Sequence, residues 1–361
     1  GCLFRFAQHV VPALAGRANG GQRPRLLAAT TLGGHFALGP RAAGELFPPG
    51  HGGICGLMKT LAVEHPELAV KVVDLDGRES ADDLAGHLLA ELAAEDGEVE
   101  VGWRQGRRWA PRPVAVPAAP DEPSCLDAES VVLLTGGARG ITAEIAIELA
   151  ERFRPTLILV GRSPEPDEEG EVTAGISEPR QLKAALIAHR RQSGLSTQLP
   201  EVEADYRRLV AEREMRRTFE RLEAAGARWE YRSADVRDPG DMAGLLAEIR
   251  LRHGRLDAVL HGAGSIEDKL LLDKDWDSFE RVFETKALST FLLTRELSSF
   301  FDTLRFVGLF SSVAGTFPNR GQADYTAANE VVNKIAVALA EGWAPPTCRV
   351  VALAWGPWEK G

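Results

Sequence analysis

Two hydroxyl side chains, Ser312 and Tyr325, lie thirteen residues apart in the segment SSVAGTFPNRGQADYTAAN at residues 311–329. Together they could assist the reduction of a ketone by a hydride donor, because one hydroxyl can donate a hydrogen bond and the other a proton to the oxygen that gains charge. A tyrosine in water has a pKa of about 10 and is a weak proton donor at neutral pH. A cation about 4 to 5 Å away favours the phenolate by roughly 3 to 4 kcal/mol at an effective dielectric of about 20. Asn329, four residues after the tyrosine, is uncharged, so the cation must come from elsewhere.

A glycine-rich segment, TGGARGIT, occupies residues 135–142 between a predicted strand and a predicted helix. Glycine at Gly136 and Gly140 lets the backbone turn tightly and lets a pyrophosphate approach the helix N-terminus, where free N–H groups and the helix dipole favour negative charge. Thr142 stands where many such loops carry a third glycine. The predicted dinucleotide-binding loop consists of Thr135, Gly136, Gly137, Ala138, Arg139, Gly140 and Ile141.

The residues predicted on the adenosine side favour NADPH over NADH. The second predicted strand ends in LVGRS, so Arg162 stands where an NAD site places Asp or Glu. A guanidinium suits a 2′-phosphate, and Arg139 can supply a second one. Asp235 and Val236 are predicted beside the adenine ring, and small residues after the fourth strand let the cofactor lie close. The other predicted cofactor contacts are Gly161, Ser163, Gly262, Ala263 and Gly264.

Strand and helix signals alternate along the second half of the chain. Short, nearly continuous apolar segments are separated by amphipathic helices, which is typical of a parallel sheet covered on both faces. The predicted strands are residues 131–135, 157–161, 229–236, 258–264, 306–312 and 349–356, and two predicted helices are about 141–153 and 279–297. The sequence therefore predicts an α/β fold with a doubly wound parallel sheet of the Rossmann type.

The sequence also predicts how the chain is divided. Residues 111–128 form a proline-rich connector, because the stretch PRPVAVPAAPDEPS carries five prolines. Residues 1–110 repeat the helix-then-strand rhythm without the glycine fingerprint, so we predict a degenerate Rossmann-like structural subdomain there. Residues 129–361 are predicted to form the NADPH-binding catalytic subdomain. Within it, residues 163–218 are charged with helical apolar spacing, which predicts an inserted helical hairpin or, alternatively, a docking surface for a neighbouring domain.

Composition excludes several classes of function. The 42 basic and 52 acidic residues give a formal net charge of −10, which disfavours a nucleic-acid partner. No apolar run approaches the roughly 20 residues that span a bilayer, so we expect no membrane partner. The four cysteines are far apart and lack metal-ligand spacing, so we predict no metal site, no disulfide framework and a cytoplasmic location. The chain begins and ends within a pattern of strands and helices, so we expect it to be a piece of a larger protein.

The catalytic residues carry a family resemblance. Ser312 and Tyr325 have the spacing of short-chain reductases, but Asn329 stands in place of their lysine, and Lys286 lies 26 residues before Ser312 on the helix predicted at 279–297. This arrangement resembles the ketoreductase domains of type I polyketide synthases, where lysine and asparagine have exchanged positions. The segments HGAG, FSSVAG and WGPW also resemble segments of those ketoreductase domains. The segment GGARGITAE and the charged insertion are similar to the polyunsaturated-fatty-acid-synthase-like branch.

The resemblance implies a role for each of four residues: Lys286, Ser312, Tyr325 and Asn329. Tyr325 gives the proton, Ser312 gives the second hydrogen bond, and Lys286 is the cation. Asn329 would hold the lysine or a relay water, and Lys286 and Tyr325 would also contact the cofactor. The implied reaction is NADPH-dependent reduction of a β-ketoacyl thioester, delivered on the phosphopantetheine arm of an acyl carrier protein and surrounded by other synthase domains.

The resemblance also implies which product forms. Ketoreductases that make the D-configured hydroxyl carry an LDD triplet after the fourth strand, where this chain has Ile266, Glu267 and Asp268. The opposite class carries a tryptophan three residues before the serine, where this chain has Leu309. We therefore expect a (3R)-hydroxyacyl product. The residues expected to control the substrate are Asp268, Leu309, Pro357 and Trp358.

Two other functions fit parts of the sequence. The chain could be a catalytically silent reductase-like scaffold, although the intact catalytic set and glycine loop argue against this. It could be a free-standing reductase of small ketones, although the degenerate N-terminal copy and the proline-rich connector favour a synthase domain. NADPH consumption with a small β-keto thioester separates the scaffold from the enzyme.

Overall fold

The computed structural model describes residues 1–17, 23–39, 45–117 and 124–358. Within these ranges the strands form two β-sheets, one from residues before the predicted connector and one from residues after it. Residues 118–123 of that connector lie outside the described residues. The subdomain boundaries at 111–128 therefore stay a prediction.

The first sheet is built by the N-terminal part of the chain. Its strands are β1 (Arg25–Thr30), β2 (Ala69–Leu75), β3 (Glu100–Arg104) and β4 (Arg107–Trp109). The first three pair in parallel in chain order, and β4 pairs antiparallel to β3. The helices of this part are α1 (Cys2–Ala15), α2 (Gly52–Glu64) and α3 (Ala81–Ala93). The predicted helix-then-strand rhythm at residues 56–76 corresponds to α2 followed by β2.

The second sheet carries the predicted catalytic and cofactor residues. Its strands are β5 (Val131–Thr135), β6 (Thr156–Gly161), β7 (Arg228–Ser233), β8 (Ala258–His261), β9 (Phe306–Ser312) and β10 (Arg349–Trp355). They pair in parallel in the order β10-β9-β8-β5-β6-β7. The helices are α4 (Gly140–Phe153), α5 (Pro179–Gln192), α6 (Leu199–Ala224), α7 (Pro239–His253), α8 (Trp276–Phe283), α9 (Ser289–Glu296), α10 (Val313–Thr316) and α11 (Ala323–Ala338).

Apolar side chains cover both faces of this second sheet. Along β5, Val131 and Leu133 belong to one buried cluster, whereas Val132 and Leu134 belong to another. Alternate residues of a strand point to opposite faces, so each cluster fills the space between the sheet and the helices on one side. The predicted doubly wound parallel sheet is confirmed.

The predicted ends of some elements are wrong. The third strand of the sheet, predicted to end at residue 236, stops at Ser233 because Asp235 turns the chain: its Oδ1 accepts a hydrogen bond from the Arg237 N–H (3.0 Å). The fourth strand, predicted to end at 264, stops at His261. The helix predicted at 279–297 starts earlier, at Trp276, and is interrupted before α9.

The predicted insertion is a hairpin of two helices, α5 and α6. Lys183 pairs with Glu203 across it, and Arg190 pairs with Asp205. The second helix does not end at residue 218 but continues to Ala224, because its last turns carry apolar side chains that pack on the sheet. The insertion therefore lengthens the helix that leads into β7.

The N-terminal part packs directly on α11, the helix that carries Tyr325. A Cβ at Gly56 would lie 2.6 Å from the Thr326 carbonyl oxygen, and a Cβ at Gly52 would lie 2.6 Å from the Glu330 carbonyl oxygen. Only glycine lets α2 and α11 approach this closely. One apolar cluster contains residues of both parts, including Met58 and Ala327, so the first part of the chain supports the helix that carries Tyr325.

Candidate active site

The predicted catalytic and cofactor residues meet at the carboxyl ends of the parallel strands. The chain runs outward from β5 to β6 and β7, then returns to build β8, β9 and β10 on the other side of β5. Ligands of open α/β sheets bind in the crevice at such a switch point. The glycine loop follows β5, the segment Gly262–Gly264 follows β8, and Ser312 ends β9.

Lys286 lies in a π-helical turn, Glu284–Leu288, that joins α8 to α9. Such turns are rare and often occur at functional sites. The residue is buried, and its Nζ donates a hydrogen bond to the Phe310 carbonyl oxygen at 2.7 Å. Burial lowers the pKa of Lys286 to about 8, so the side chain is mostly protonated at pH 7.

Tyr325 and Lys286 lie close to each other. The Lys286 Nζ is 5.9 Å from the centroid of the Tyr325 ring. The tyrosine lies in the first turn of α11 and is partly exposed, while the residues on either side of it, Asp324 and Thr326, are buried. A buried cation therefore lies near a tyrosine that solvent can reach.

Ser312 and Asn329 complete the set. Ser312 caps α10, and its Oγ accepts a hydrogen bond from the Ala314 N–H at 3.1 Å. The Asn329 Nδ2 donates to the Tyr325 carbonyl oxygen at 2.8 Å. In the part of the chain that is described, the buried Asn329 Oδ1 has no hydrogen-bond partner, so it can accept a bond from a water molecule.

A buried histidine, which sequence reasoning did not select, ties the strand ends together. The His261 Nδ1 lies 2.7 Å from the Thr135 Oγ1, and its Nε2 lies 2.8 Å from the Ser289 Oγ. Ser289 in turn donates to the carbonyl oxygens of Thr285 and Lys286 (2.6 and 3.2 Å). Burial, with a smaller contribution from the Lys286 charge, lowers the pKa of His261 to about 3. The neutral imidazole therefore links β5 and β8 to the turn that carries the lysine.

The loop between β5 and α4 has the geometry that a dinucleotide needs. Gly136 and Gly140 have φ of +73° and +58°, a region that favours glycine. A Cβ at Gly140 would meet no atom within 4 Å, whereas one at Gly137 would lie 2.9 Å from Leu134 and Leu159. The loop thus has free space beside the Gly140 Cα and is closely packed at Gly137. The residues present fit a dinucleotide cofactor.

Thr142, the residue at the third glycine position, is buried against the end of β8. A Cβ at Gly262 would lie 2.2 Å from the Thr142 Oγ1, so glycine at 262 makes room for the threonine. Thr135 of the same loop is fully buried, and its Oγ1 also accepts the Ala263 N–H at 3.3 Å. Of the other predicted loop residues, Ala138 is buried and Ile141 is partly buried.

The two arginines predicted on the adenosine side fall near the end of β6. Arg162 is exposed, and its carbonyl oxygen accepts a bond from the Ser233 Oγ at 3.1 Å. Gly161 has a packing role, because a Cβ there would lie 2.6 Å from the Tyr231 hydroxyl. That hydroxyl donates to the Ser163 carbonyl oxygen at 2.6 Å. Arg139 lies in the glycine loop, and its charge acts on the same Tyr231.

Asp235 and Val236 lie beyond β7 and not within it. The hydrogen bond from Arg237 is the main cause that keeps the pKa of Asp235 below its ordinary value, and the Arg162 charge adds to it. Val236 is buried in the core. Asp235 is therefore already paired with an arginine and lies close to the predicted 2′-phosphate residue.

The inserted hairpin contacts the predicted cofactor loop, which the sequence did not indicate. The Glu214 Oε1 of α6 accepts a hydrogen bond from the Gly140 N–H at 2.8 Å. Arg221, two turns later on α6, pairs with Glu144 on α4. A carboxylate of the insertion thus lies at the helix N-terminus, where the dipole favours negative charge.

The residues expected to control the substrate lie in different surroundings. Asp268 is held by Gln322, whose Nε2 donates to both carboxylate oxygens at 3.1 Å. Leu309 is fully buried in the core, so its side chain does not face the crevice, because β9 is a central strand. Pro357 and Trp358 are exposed after β10, and Trp358 packs edge-on against Trp355. The role of these residues in stereocontrol stays a prediction.

The described residues contain no cluster of three or more His, Cys, Asp or Glu side chains placed to bind a metal ion. None of the described helices combines the length and the apolar character needed to cross a membrane. The cysteines are free thiols at positions 2, 55, 125 and 348.

Comparison with known proteins identifies relatives along nearly the whole chain. The KR domain family matches residues 130–360. One polypeptide of a polyunsaturated fatty acid synthase from Thraustochytrium sp. is 29% identical over 94% of this chain. A spectinabilin polyketide synthase system protein from Streptomyces orinoci is 30% identical over 96% of it. The chain spans 12% and 8% of those two proteins, so it corresponds to a small part of each.

Solved structures have the same fold. A ketoreductase domain from the bacillaene assembly line aligns over 99% of this chain and 70% of its own, with a TM-score of 0.69 and 25% identity. An A-type ketoreductase from a modular polyketide synthase aligns over 98% of this chain and 63% of its own, with a TM-score of 0.71 and 23% identity. The second likeness shows the fold alone.

Proposed function

The chain belongs to the KR domain family, and on this basis we propose that it uses NADPH to reduce the β-ketone of an acyl thioester carried on an acyl carrier protein. KR domains of this kind are oxidoreductases that use nicotinamide cofactors. The observation that carries the proposal is the buried Lys286 ammonium 5.9 Å from the ring of the partly exposed Tyr325. The proposal includes three specific statements: the cofactor is NADPH, the substrate is bound to a carrier protein, and the product has the (3R) configuration.

Each residue of the catalytic set has a distinct role. The nicotinamide, when bound, supplies hydride to the carbonyl carbon. Tyr325 donates its hydroxyl proton to the carbonyl oxygen as that oxygen gains charge, and Ser312 donates a second hydrogen bond. Lys286 keeps a positive charge beside the tyrosine. The open Oδ1 of Asn329 accepts a bond from a water molecule that resupplies the proton.

Residues of the chain would hold the cofactor at three places. The N–H groups at the start of α4 would bind the pyrophosphate, which would replace the Glu214 carboxylate as the acceptor of the Gly140 N–H. Arg139 and Arg162 bind a 2′-phosphate on the adenosine side, which favours NADPH. The glycines after β8 leave space beside Lys286, since a Cβ at Gly264 would lie 3.4 Å from its Nζ.

The choice of cofactor can be tested by charge reversal at Arg162. We expect Arg162→Asp to raise the Kd for NADPH by roughly tenfold or more and to change the Kd for NADH little, because a phosphate partner becomes a like charge. Titration of cofactor fluorescence measures both constants. Arg152→Asp, an equal charge change at the far end of α4, is the matched control. Equal binding of both cofactors by the wild type would contradict the two-arginine interpretation.

The substrate class follows from the relatives. Both curated relatives are named as synthase proteins and are about ten times longer than the matched segment, so neighbouring synthase domains and a carrier protein are the proposed partners. The reaction is tested by NADPH oxidation with a β-ketoacyl thioester of N-acetylcysteamine and with the same acyl group on a carrier protein. Lack of turnover with both would favour the silent scaffold. Turnover of small ketones but not of thioesters would favour the free-standing reductase.

The configuration of the product depends on the side from which the acyl chain enters. Asp268 lies on the loop after β8 and is fixed by Gln322, three residues before the catalytic tyrosine. We expect a predominantly (3R)-hydroxyacyl product from an unsubstituted chain, and a lower (3R) excess in Asp268→Ala. Chiral chromatography of the released acid measures the ratio. A predominantly (3S) product would refute the assignment, and a racemic one would mean that groups other than Asp268 control entry.

A further inference from the structure

Two loops border the crevice at the carboxyl ends of β8 and β9. The first, residues 262–275, connects β8 to α8 and carries Asp268. The second, residues 317–322, connects α10 to α11 and leads directly to Tyr325. We call them the β8–α8 loop and the α10–α11 loop. One loop carries Asp268 and the other leads into Tyr325, so their relative position affects how a substrate reaches the tyrosine.

Hydrogen bonds connect these two loops to each other. The Lys269 N–H donates to the Gly321 carbonyl oxygen at 2.9 Å. The buried ammonium of Lys274 pairs with the buried carboxylate of Asp324 and also donates to the Glu267 carbonyl oxygen. Asp324 in turn accepts the N–H of Tyr325 at 2.8 Å. The tyrosine backbone and the loop that carries Asp268 are therefore parts of one bonded unit.

The N-terminal part of the chain holds this unit through one buried carboxylate. Glu64, the last residue of α2, is 7% exposed. Its Oε2 accepts the Leu271 N–H at 2.9 Å, and its Oε1 accepts the Gly321 N–H at 2.8 Å. Each carboxylate oxygen thus holds one of the two loops. Gly321 has φ of +84°, a conformation that glycine adopts without strain.

A second side chain of the N-terminal part holds the β8–α8 loop, and it donates hydrogen bonds where Glu64 accepts them. The Gln8 Nε2 of α1 donates to the carbonyl oxygens of Leu271 (3.0 Å) and Lys274 (2.7 Å). Leu271 therefore has both its N–H and its C=O bonded by side chains from outside the catalytic sheet. Packing alone does not require such an arrangement, since the apolar cluster that Leu271 joins is already shared by both parts of the chain.

We propose that Glu64 is a positioning residue for the reductase: it sets the spacing of the β8–α8 and α10–α11 loops and so decides how the acyl chain enters. Charged acceptors form strong hydrogen bonds, and a carboxylate can accept one N–H at each oxygen. An amide offers one acceptor and one donor, so it can hold one loop but repels the N–H of the other. The N-terminal part thus acts on specificity as well as on folding. The inference rests on the proposed ketoreductase function only for its kinetic consequences.

The test is Glu64→Gln in the full chain, with two independent measurements. Hydrogen exchange followed by mass spectrometry should show about tenfold faster exchange in peptides covering residues 264–275 and 317–324. The amide can hold only one of the two loops, and the loops are hydrogen-bonded to each other, so both should open more often. Steady-state kinetics with a β-ketoacyl thioester should show a KM raised roughly threefold or more, an altered (3R):(3S) ratio and an unchanged cofactor Kd. Gln8→Glu, which places acceptors against two carbonyl oxygens, should loosen the β8–α8 loop in the same way.

Glu91→Gln is the matched control. Glu91 is also a buried carboxylate of the N-terminal part, but it accepts hydrogen bonds from Lys71, Arg108 and Trp103 and contacts neither loop. This variant measures the cost of losing a buried acid and should leave loop exchange and the product ratio unchanged.

Two results would overturn the proposal. Loop exchange in Glu64→Gln that matches that in Glu91→Gln would show that Glu64 does not hold the two loops, whether or not the wild type reduces thioesters. Faster loop exchange with unchanged KM and unchanged product ratio would refute the positioning role. A wild type that reduces no thioester would instead count against the proposed function. The exchange measurement would still decide whether Glu64 holds the two loops.

Discussion

Tyr325→Phe should lose at least about a hundredfold in kcat, equivalent to about 2.7 kcal/mol of transition-state stabilisation, while the Kd for NADPH stays the same. The substitution removes only the hydroxyl that donates the proton. The tyrosine is partly exposed at the start of α11. The variant keeps the ring and leaves the glycine loop intact, so cofactor binding should change little although Tyr325 is expected to contact the cofactor. Stopped-flow or steady-state NADPH oxidation, with cofactor binding measured in parallel, checks this expectation.

Tyr206→Phe is the matched control for that variant. Tyr206 lies on the inserted helix α6, where its ring packs 4.7 Å from the Lys183 Nζ, so its hydroxyl is remote from the catalytic set. Wild-type turnover is expected from it. Turnover of Tyr325→Phe within a few fold of the wild type would show that another group donates the proton.

The sequence predicted what short-range patterns determine. The strands β5, β6 and β9 came from apolar runs between helices, and the glycine loop came from the need for positive φ at Gly136 and Gly140. Lys286, Ser312, Tyr325 and Asn329 were selected by their spacing in a recognised pattern. The hydrogen bonds that hold two of them were not part of that prediction: Lys286 donates to the Phe310 carbonyl oxygen, and Asn329 donates to that of Tyr325.

The sequence could not predict features that depend on contacts between distant segments. The π-helical turn at Glu284–Leu288 cannot be recognised from the spacing of apolar residues. It adds one residue to a helical turn, and the spacing of apolar residues in ordinary helices varies by more than that. Glu64 reads as a polar residue at the end of a helix, yet it bonds residues more than two hundred positions away. Leu309 stood at a position expected to contact substrate, and only the sheet order shows that the central strand β9 buries it.

Lys286→Met should also lose roughly a hundredfold in kcat, and it should in addition change the pH dependence of the reaction. In the wild type, burial lowers the pKa of Lys286 to about 8, so its positive charge is present below pH 8 and is lost as the pH rises through that value. Wild-type activity should therefore fall above about pH 8. In Lys286→Met that charge is absent at every pH, so the fall at pH 8 should disappear and the remaining activity should extend to higher pH.

Profiles of kcat/KM against pH, measured with the same thioester for both proteins, decide the role of Lys286. Lys71→Met is the matched control, because Lys71 is also a buried lysine, paired with Glu91 and Asp96 in the N-terminal part. Its loss should lower the Tm but leave the pH profile unchanged. If Lys286→Met lowered kcat and kept the wild-type profile, the lysine would act only as a structural donor to the Phe310 carbonyl oxygen. A shifted profile together with lost turnover would show that its charge assists Tyr325, since a structural donor has no effect on where the activity falls with pH.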